Sequence, residues 1–200
     1  MAAIKGLVVE SKKVYQDIDL EELTGVDLTG NEPLKLAIAQ STVDYMRKRT
    51  ANSKDALGVK FDNYSKSYKA SDEFEAYNKS STVNMKLTGD MLASIDFKLS
   101  GNTIKFSFDD SEEEVKAYGH MTGMKGHKHL DGKTPIRLFF GISEDDFKNE
   151  ILPSFRDDLR ESVEVEPETP LIPLDAFTRN STTLNNSLDN FLGGLFNEEF

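Results

Sequence analysis

The sequence predicts an α+β fold, a small mainly antiparallel sheet flanked by helices, and three observations predict it. Ile95-Asp96-Phe97-Lys98-Leu99 and Ile104-Lys105-Phe106-Ser107-Phe108 alternate apolar and polar residues on either side of Gly101-Asn102, the pattern of a hairpin over 95–108. Other stretches of the same chain repeat their apolar residues at helical spacing. Finally, 200 residues that are 38% hydrophobic, with 13 Phe and 6 Tyr, suffice for one sizeable core with appendages.

From the N-terminus, Ile4, Leu7, Val8, Val14, Tyr15 and Ile18 fall where one helix face would put them, with Thr24-Gly25 as a break. Asn31-Glu32-Pro33 starts a helix over about 33–49, because Pro suits the first turn, where its missing N–H costs nothing. Leu34, Ile38, Tyr45 and Met46 give that helix its apolar spacing, and Arg47-Lys48-Arg49 sets cations against the dipole at its end. A second helix is expected over about 64–77, from Tyr64 through Tyr68 and Phe74 to Tyr77.

After the hairpin, a short helix is expected from Glu112 to about Met121, then a loop rich in Gly and His from Gly123 to Gly132. Pro135-Ile136-Arg137-Leu138-Phe139-Phe140 has the make-up of a strand at about 134–140, with Pro near its start where a donor is dispensable. Ser143 and Asp146 resemble a capping box, and Phe147, Ile151, Phe155 and Leu159 follow as an i+4 stripe that Pro153 should kink or split.

The character shifts at about Val163. Glu164, Glu166 and Glu168 interleave with Val165 and Pro167, and Pro167, Pro170 and Pro173 recur every third residue, which favours an extended arm. Leu184, Leu188, Phe191, Leu192, Leu195 and Phe196 then line one face of a helix of about 15 residues. Such a face offsets its ordering entropy only when buried, so it is expected to dock on its own domain or on a neighbour. The expected organisation is one α+β domain over 1–162 followed by an arm and docking helix over 163–200.

Composition excludes several functions. The net charge of −11 argues against holding duplex nucleic acid or an anionic membrane by bulk charge. Residues 1–100 are near balance, with 14 Lys/Arg against 15 Asp/Glu, whereas residues 101–200 carry 10 against 20. Zero Cys removes disulfides, thiolate metal sites and Cys nucleophiles. The apolar run at Leu7-Val8-Val9 is too short for an export signal, and no run is long enough to span a bilayer.

Few residues suggest chemistry. His120, His127 and His129, with Asp131, contain the donors of a zinc site, but Lys125 and Lys128 would repel a cation, and a polar Gly-rich loop explains the same residues. No nucleophile elbow, phosphate-binding loop or dinucleotide fingerprint occurs, so no catalytic residue, cofactor or resident metal is expected. Lys125, Lys128, Lys133 and Arg137 form the one basic stretch of the second half, suited to a phosphate backbone, an acidic protein face or plain solvent. Upstream, Asp109, Asp110, Glu112, Glu113 and Glu114 lack the alternation and Gly of a calcium loop and are expected as a solvated acidic edge.

Three blocks carry a family resemblance. Asn84-Met85-Lys86-Leu87-Thr88-Gly89-Asp90-Met91-Leu92-Ala93-Ser94-Ile95, ahead of a hairpin, resembles the N-L-x-x-T-G-x-M-x-x-S-I block of the tailed-phage virion-morphogenesis, or tail-completion, family. Tyr118-Gly119-His120-Met121-Thr122-Gly123 is similar to its next block. Thr134-Pro135-Ile136-Arg137-Leu138-Phe139-Phe140-Gly141-Ile142-Ser143-Glu144-Asp145-Asp146 is similar to its closing block, with Leu138 where that block has Pro. Gly58-Val59-Lys60-Phe61, before Tyr64 and Tyr68, looks like an earlier segment. The match covers about 58–150, less than half the chain, and leaves both ends outside it.

The resemblance implies a non-enzymatic virion protein made in the host cytoplasm. It would form a homo-oligomeric ring, hexameric or dodecameric, in the neck or at the top of the tail, contacting neighbouring neck, connector and tail proteins, with DNA only in transit and no membrane. A head-closure ring on the capsid side is the alternative of the same class, and a metal-dependent hydrolase built on His120, His127 and His129 is the alternative of another. Under the ring reading, Leu184, Leu188, Phe191, Leu192, Leu195 and Phe196 are the expected subunit interface. Asp109, Asp110, Glu112, Glu113 and Glu114 are then the expected acidic lining of the DNA passage.

Overall fold

The computed structural model describes residues 4–76, 82–85, 89–123 and 135–164. The chain divides into Met1–Ser162 and Val163–Phe200, and the architecture below is that of the first unit. The expected interface helix around Leu184 to Phe196 lies outside the described residues.

The fold is α+β, built on a four-stranded antiparallel sheet. Its strands are β1 (Leu7–Glu10), β2 (Lys13–Asp19), β3 (Ile95–Ser100) and β4 (Thr103–Phe108), in the order β1-β2-β4-β3. The β3–β4 hairpin forms as its alternation predicts, turning at Gly101-Asn102 and pairing Phe97 with Phe106 and Leu99 with Ile104. The helix expected across residues 4–24 is instead a second hairpin, β1–β2, followed by a short α1 (Leu20–Thr24). Its turn residues Ser11 and Lys12 have φ of 49° and 65°, the left-handed pair that a tight hairpin turn needs. Without Gly or Asn there, that turn carries no sequence signal. Pairing then places Val14, Gln16 and Ile18 on the buried face beside Ile104, Phe106 and Phe108 of β4.

Helix α2 (Glu32–Ala51) covers this face, capped by the Asn31 side chain, which accepts from Leu34 N, with Pro33 in its first turn. It contributes Leu34, Ile38, Ala39, Val43 and Met46 to the core cluster. The opposite sheet face is half-wet and carries Lys105 Nζ 3.9 Å from the centroid of the Tyr15 ring, the division usual in antiparallel sheets. Asn102 joins hairpin tip to helix entry: its carbonyl accepts from Leu20 N at 3.0 Å and its Oδ1 from Leu28 N at 2.9 Å. Buried Lys35 of α2 donates to Gly101 O at 2.9 Å, so its charge ends on a carbonyl of the same turn.

Where one helix is expected over 64–77, the structure has two single turns, α3 (Lys66–Lys69) and α4 (Asp72–Ala76), separated at Ala70-Ser71. Ser65 and Ser71 explain the split, since each hydroxyl accepts from an N–H three residues on and restarts the turn. Tyr64, Tyr68 and Phe74 then cluster, with ring centroids 5.2–5.7 Å apart. Helices α5 (Asp90–Ala93) and α6 (Ser111–Thr122) bracket the β3–β4 hairpin, α6 matching the helix expected from Glu112 to Met121.

The strand expected at 134–140 does not form among the described residues, 135–140. Phe139 N donates back to Arg137 O at 2.9 Å, a tight turn within the segment, and its other backbone groups are taken from outside the sheet. Leu138 O accepts from Ala56 N, and Phe139 O from the Arg49 guanidinium at 3.0 Å. Phe139 and Phe140 are fully buried, Phe140 packing on Phe108 with centroids 5.0 Å apart. Beyond it, α7 (Glu144–Asp146) is capped by Ser143, whose hydroxyl accepts from Asp146 N. The chain runs on as a π turn (Phe147–Ile151), a 3-10 turn (Leu152–Phe155) holding Pro153, and α8 (Arg156–Glu164). That succession is the split expected of a proline inside an apolar stripe.

Candidate functional site

The acidic edge behaves in two ways. Asp109, Asp110 and Glu112 are exposed, and Asp110 caps α6 by accepting from Glu112 N at 2.7 Å and Glu113 N at 3.2 Å. Glu113 and Glu114, expected in solvent, are instead buried. Glu113 pairs with Lys116 one turn on. Glu114 Oε1 accepts from Val14 N at 3.1 Å, while its Oε2 takes Lys13 Nζ at 2.9 Å. One carboxylate thereby satisfies a buried backbone donor of β2 that the sheet leaves unpaired. Two of the five predicted lining residues therefore have internal partners, and three face solvent.

A second feature is the strap from Arg137 to Asp146, held across the core by side chains that imitate backbone. Gln16, 2% exposed, donates Nε2 to Lys5 O and Ile142 O at 2.9 Å each and accepts Ile142 N at 2.9 Å. Its amide thus pairs with Ile142 as another strand would. Arg49, 5% exposed, donates Nη2 to Phe139 O and to Gly141 O at 2.7 Å, with Nη1 3.6 Å from Asp146 Oδ2. Gly141 sits at φ 95°, and an added Cβ would lie 3.3 Å from Gln16 Oε1, so this crossing needs glycine. Burial and Asp146 push the neighbouring Tyr45 phenol up to about 12.

Beside the strap a cleft of about 440 Å³ is lined by Ile18, Leu23, Ile142 and Phe147 and rimmed by Asp17, Asp19, Glu22 and Glu144. Lys5 is its cation, paired with Glu22 at 2.5 Å. The described residues show no group of three His, Cys, Asp or Glu able to hold a metal ion. His127, His129 and Asp131, the other members of the considered zinc set, lie outside the described residues, as do Lys125, Lys128 and Lys133. His120 is placed on α6 with its Nδ1 buried, and burial together with Arg137 lowers its pKa to about 4. Arg137, grouped in the sequence with a basic loop, is 7% exposed and stacked on Tyr64 rather than solvated.

Gln16, Arg49 and the inward turn of Glu114 are the residues sequence reasoning missed. Each is a polar residue in a strand or helix whose partner lies about 90 or more positions away, which no local pattern reports. No family model, no curated protein and no solved structure matches the chain.

Proposed function

We propose that this chain is a structural subunit of a tailed-phage neck, forming a ring that completes the tail, joins it to the head and gives DNA a passage. The observation that carries this reading is that the three blocks of the family resemblance meet in one core. Met91, Leu92 and Ile95 of the first block, Ala117 and Met121 near the second, and Phe139, Phe140 and Ile142 of the third belong to a single cluster. A backbone bond joins the third block to the second, Arg137 N donating to His120 O at 2.9 Å, while Asp109 N, at the end of the β3–β4 hairpin, donates to Ser94 O of the first, also at 2.9 Å.

The electrostatics support the same reading. The exposed acids Asp109, Asp110 and Glu112 suit a wall that DNA slides past rather than one that grips it, because retention needs Lys and Arg on phosphates. Ring contacts are head-to-tail, so one face of each subunit must meet a different face of the next. The amphipathic sequence at Leu184 to Phe196 is the element we assign to that contact. Negative-stain imaging of the purified chain should show closed rings. A chain ending at residue 162 should stay folded, with native circular dichroism, and remain monomeric. Rings from the shortened chain would remove the arm from the interface, and a full-length chain that stays monomeric at high concentration would sink the ring reading.

A further inference from the structure

Arg137 N donates to His120 O, which sets a guanidinium and an imidazole on adjoining segments at the end of α6. The Arg137 side chain lies over Tyr64, its Cζ 5.7 Å from the ring centroid, and the residue is 7% exposed. Stacking on a ring stabilises the charge but supplies no acceptor for the edge N–H groups. Among the described residues neither Arg137 Nε nor His120 Nδ1 has a hydrogen-bond partner, and Arg137 forms no ion pair.

Arg49 is the nearest comparison: its Nε and Nη1 also lack hydrogen-bond partners, but its Nη2 donates to two carbonyls and its Nη1 lies 3.6 Å from a carboxylate. Arg137 receives a ring face, and the Asp62 carboxylate acts on it through its charge without forming an ion pair. A guanidinium does not shed its proton, so the desolvation cost stays until an acceptor arrives. The imidazole beside it cannot neutralise that charge, because burial, with Arg137 adding to it, keeps the ring uncharged at neutral pH. In the Nδ1–H form it is a further donor, near enough to Arg137 for the guanidinium charge to act on it.

We propose that Arg137 and His120 form an oxyanion site, which takes a carboxylate or phosphate group with two oxygens on the Arg137 fork and a further contact from His120 Nδ1. Fork geometry matches both groups equally, so two sources share this chemistry: a free oxyanion, or a carboxylate side chain presented by a second copy of this acidic chain. The proposal stands whether or not the chain belongs to a phage neck.

The test uses the full chain, with inorganic phosphate against sodium chloride of matched ionic strength, and self-association followed by sedimentation. If the source is free, saturating phosphate raises the melting midpoint by about 3 °C or more and shifts the His120 imidazole resonance to a plateau. If the source is a second copy, the chain self-associates and phosphate competes. In either case Arg137→Met abolishes the effect while melting at or above the wild-type temperature, since it removes an unpartnered buried charge. Arg137→Lys, which keeps charge without the fork, weakens it. The proposal is overturned by a wild-type chain that shows neither effect, by an effect that persists in Arg137→Met, or by loss of the fold in that variant, which would mean the guanidinium is already paired. The resonance titration needs no variant at all.

Discussion

Gln16 is one side chain with three hydrogen bonds, and two of them complete Ile142, a buried residue with no strand beside it. Gln16→Leu keeps the volume and strands Ile142 N–H and C=O without partners. It should cost about 2–4 kcal/mol in denaturant unfolding, whereas a change within about 0.5 kcal/mol would mean that water or a shifted strap restores both. His120 gives a pH signature of known sign. Its folded-state pKa of about 4 lies below the ordinary 6.5, so the folded chain binds fewer protons than the unfolded one in that window. Its contribution is complete above pH 6.5 and is lost as pH falls towards 4, a span worth on the order of 3 kcal/mol. Thermal melts between pH 7 and 5 should fall for the wild type and fall less steeply for His120→Gln. Equal slopes would place the imidazole in solvent. Neither residue's role is legible in sequence: Gln16 looks like an ordinary polar position and His120 like a candidate metal donor, and only the surroundings brought in by the fold show what each does.

Elements differ in legibility for physical reasons. The β3–β4 hairpin and α2 carry their instructions locally, in an alternation around Gly101-Asn102 and in a cap with Pro33 in the first turn. The β1–β2 hairpin does not, because Ser11 and Lys12 occupy left-handed positions normally signalled by Gly or Asn, and its apolar residues also fit a helix. Residues 135–140 mislead in the other direction. They have strand composition, but Arg49 and Ala56 reach their carbonyls before any strand can. The acidic stretch is misjudged in part because a carboxylate at a helix start can serve the helix or a neighbouring element. Helix α6 separates these uses: Asp110 caps it, while Glu114 turns inward to Val14. Asp110→Ala should cost about 1 kcal/mol, the usual loss of a cap. Glu114→Ala should cost more, about 2–3 kcal/mol, because a buried N–H loses a charged acceptor, and it should speed amide exchange at Val14 selectively. Equal costs, or unchanged Val14 exchange, would show that α6 needs its acids only for its own start.

For the whole molecule the question is what a net charge of −11 would do in the ring we propose. Much of the acid surplus falls in residues 101–200, and the five acids from Asp109 to Glu114 belong to it. The structure takes Glu113 and Glu114 into internal bonds, so a passage wall made from this edge would present Asp109, Asp110 and Glu112 from each subunit. Because Asp110 caps α6, charge reversal at Asp109 and Glu112 alone alters the wall and keeps the cap, at a cost of about 0.3–1 kcal/mol for a cation in the first turn of the helix. Asp109→Lys with Glu112→Lys replaces two repulsive groups per subunit by two able to meet phosphate. Wild-type assemblies should show no duplex DNA retention at about 0.05 M salt, and the double variant should gain it. That gain should fade steeply by about 0.2 M, since each phosphate contact contributes close to one unit to the slope of log affinity against log salt. Retention by the wild type would contradict a passage built for transit. A double variant that still ignores DNA would move this edge off the passage and leave its acids to the solubility of the ring.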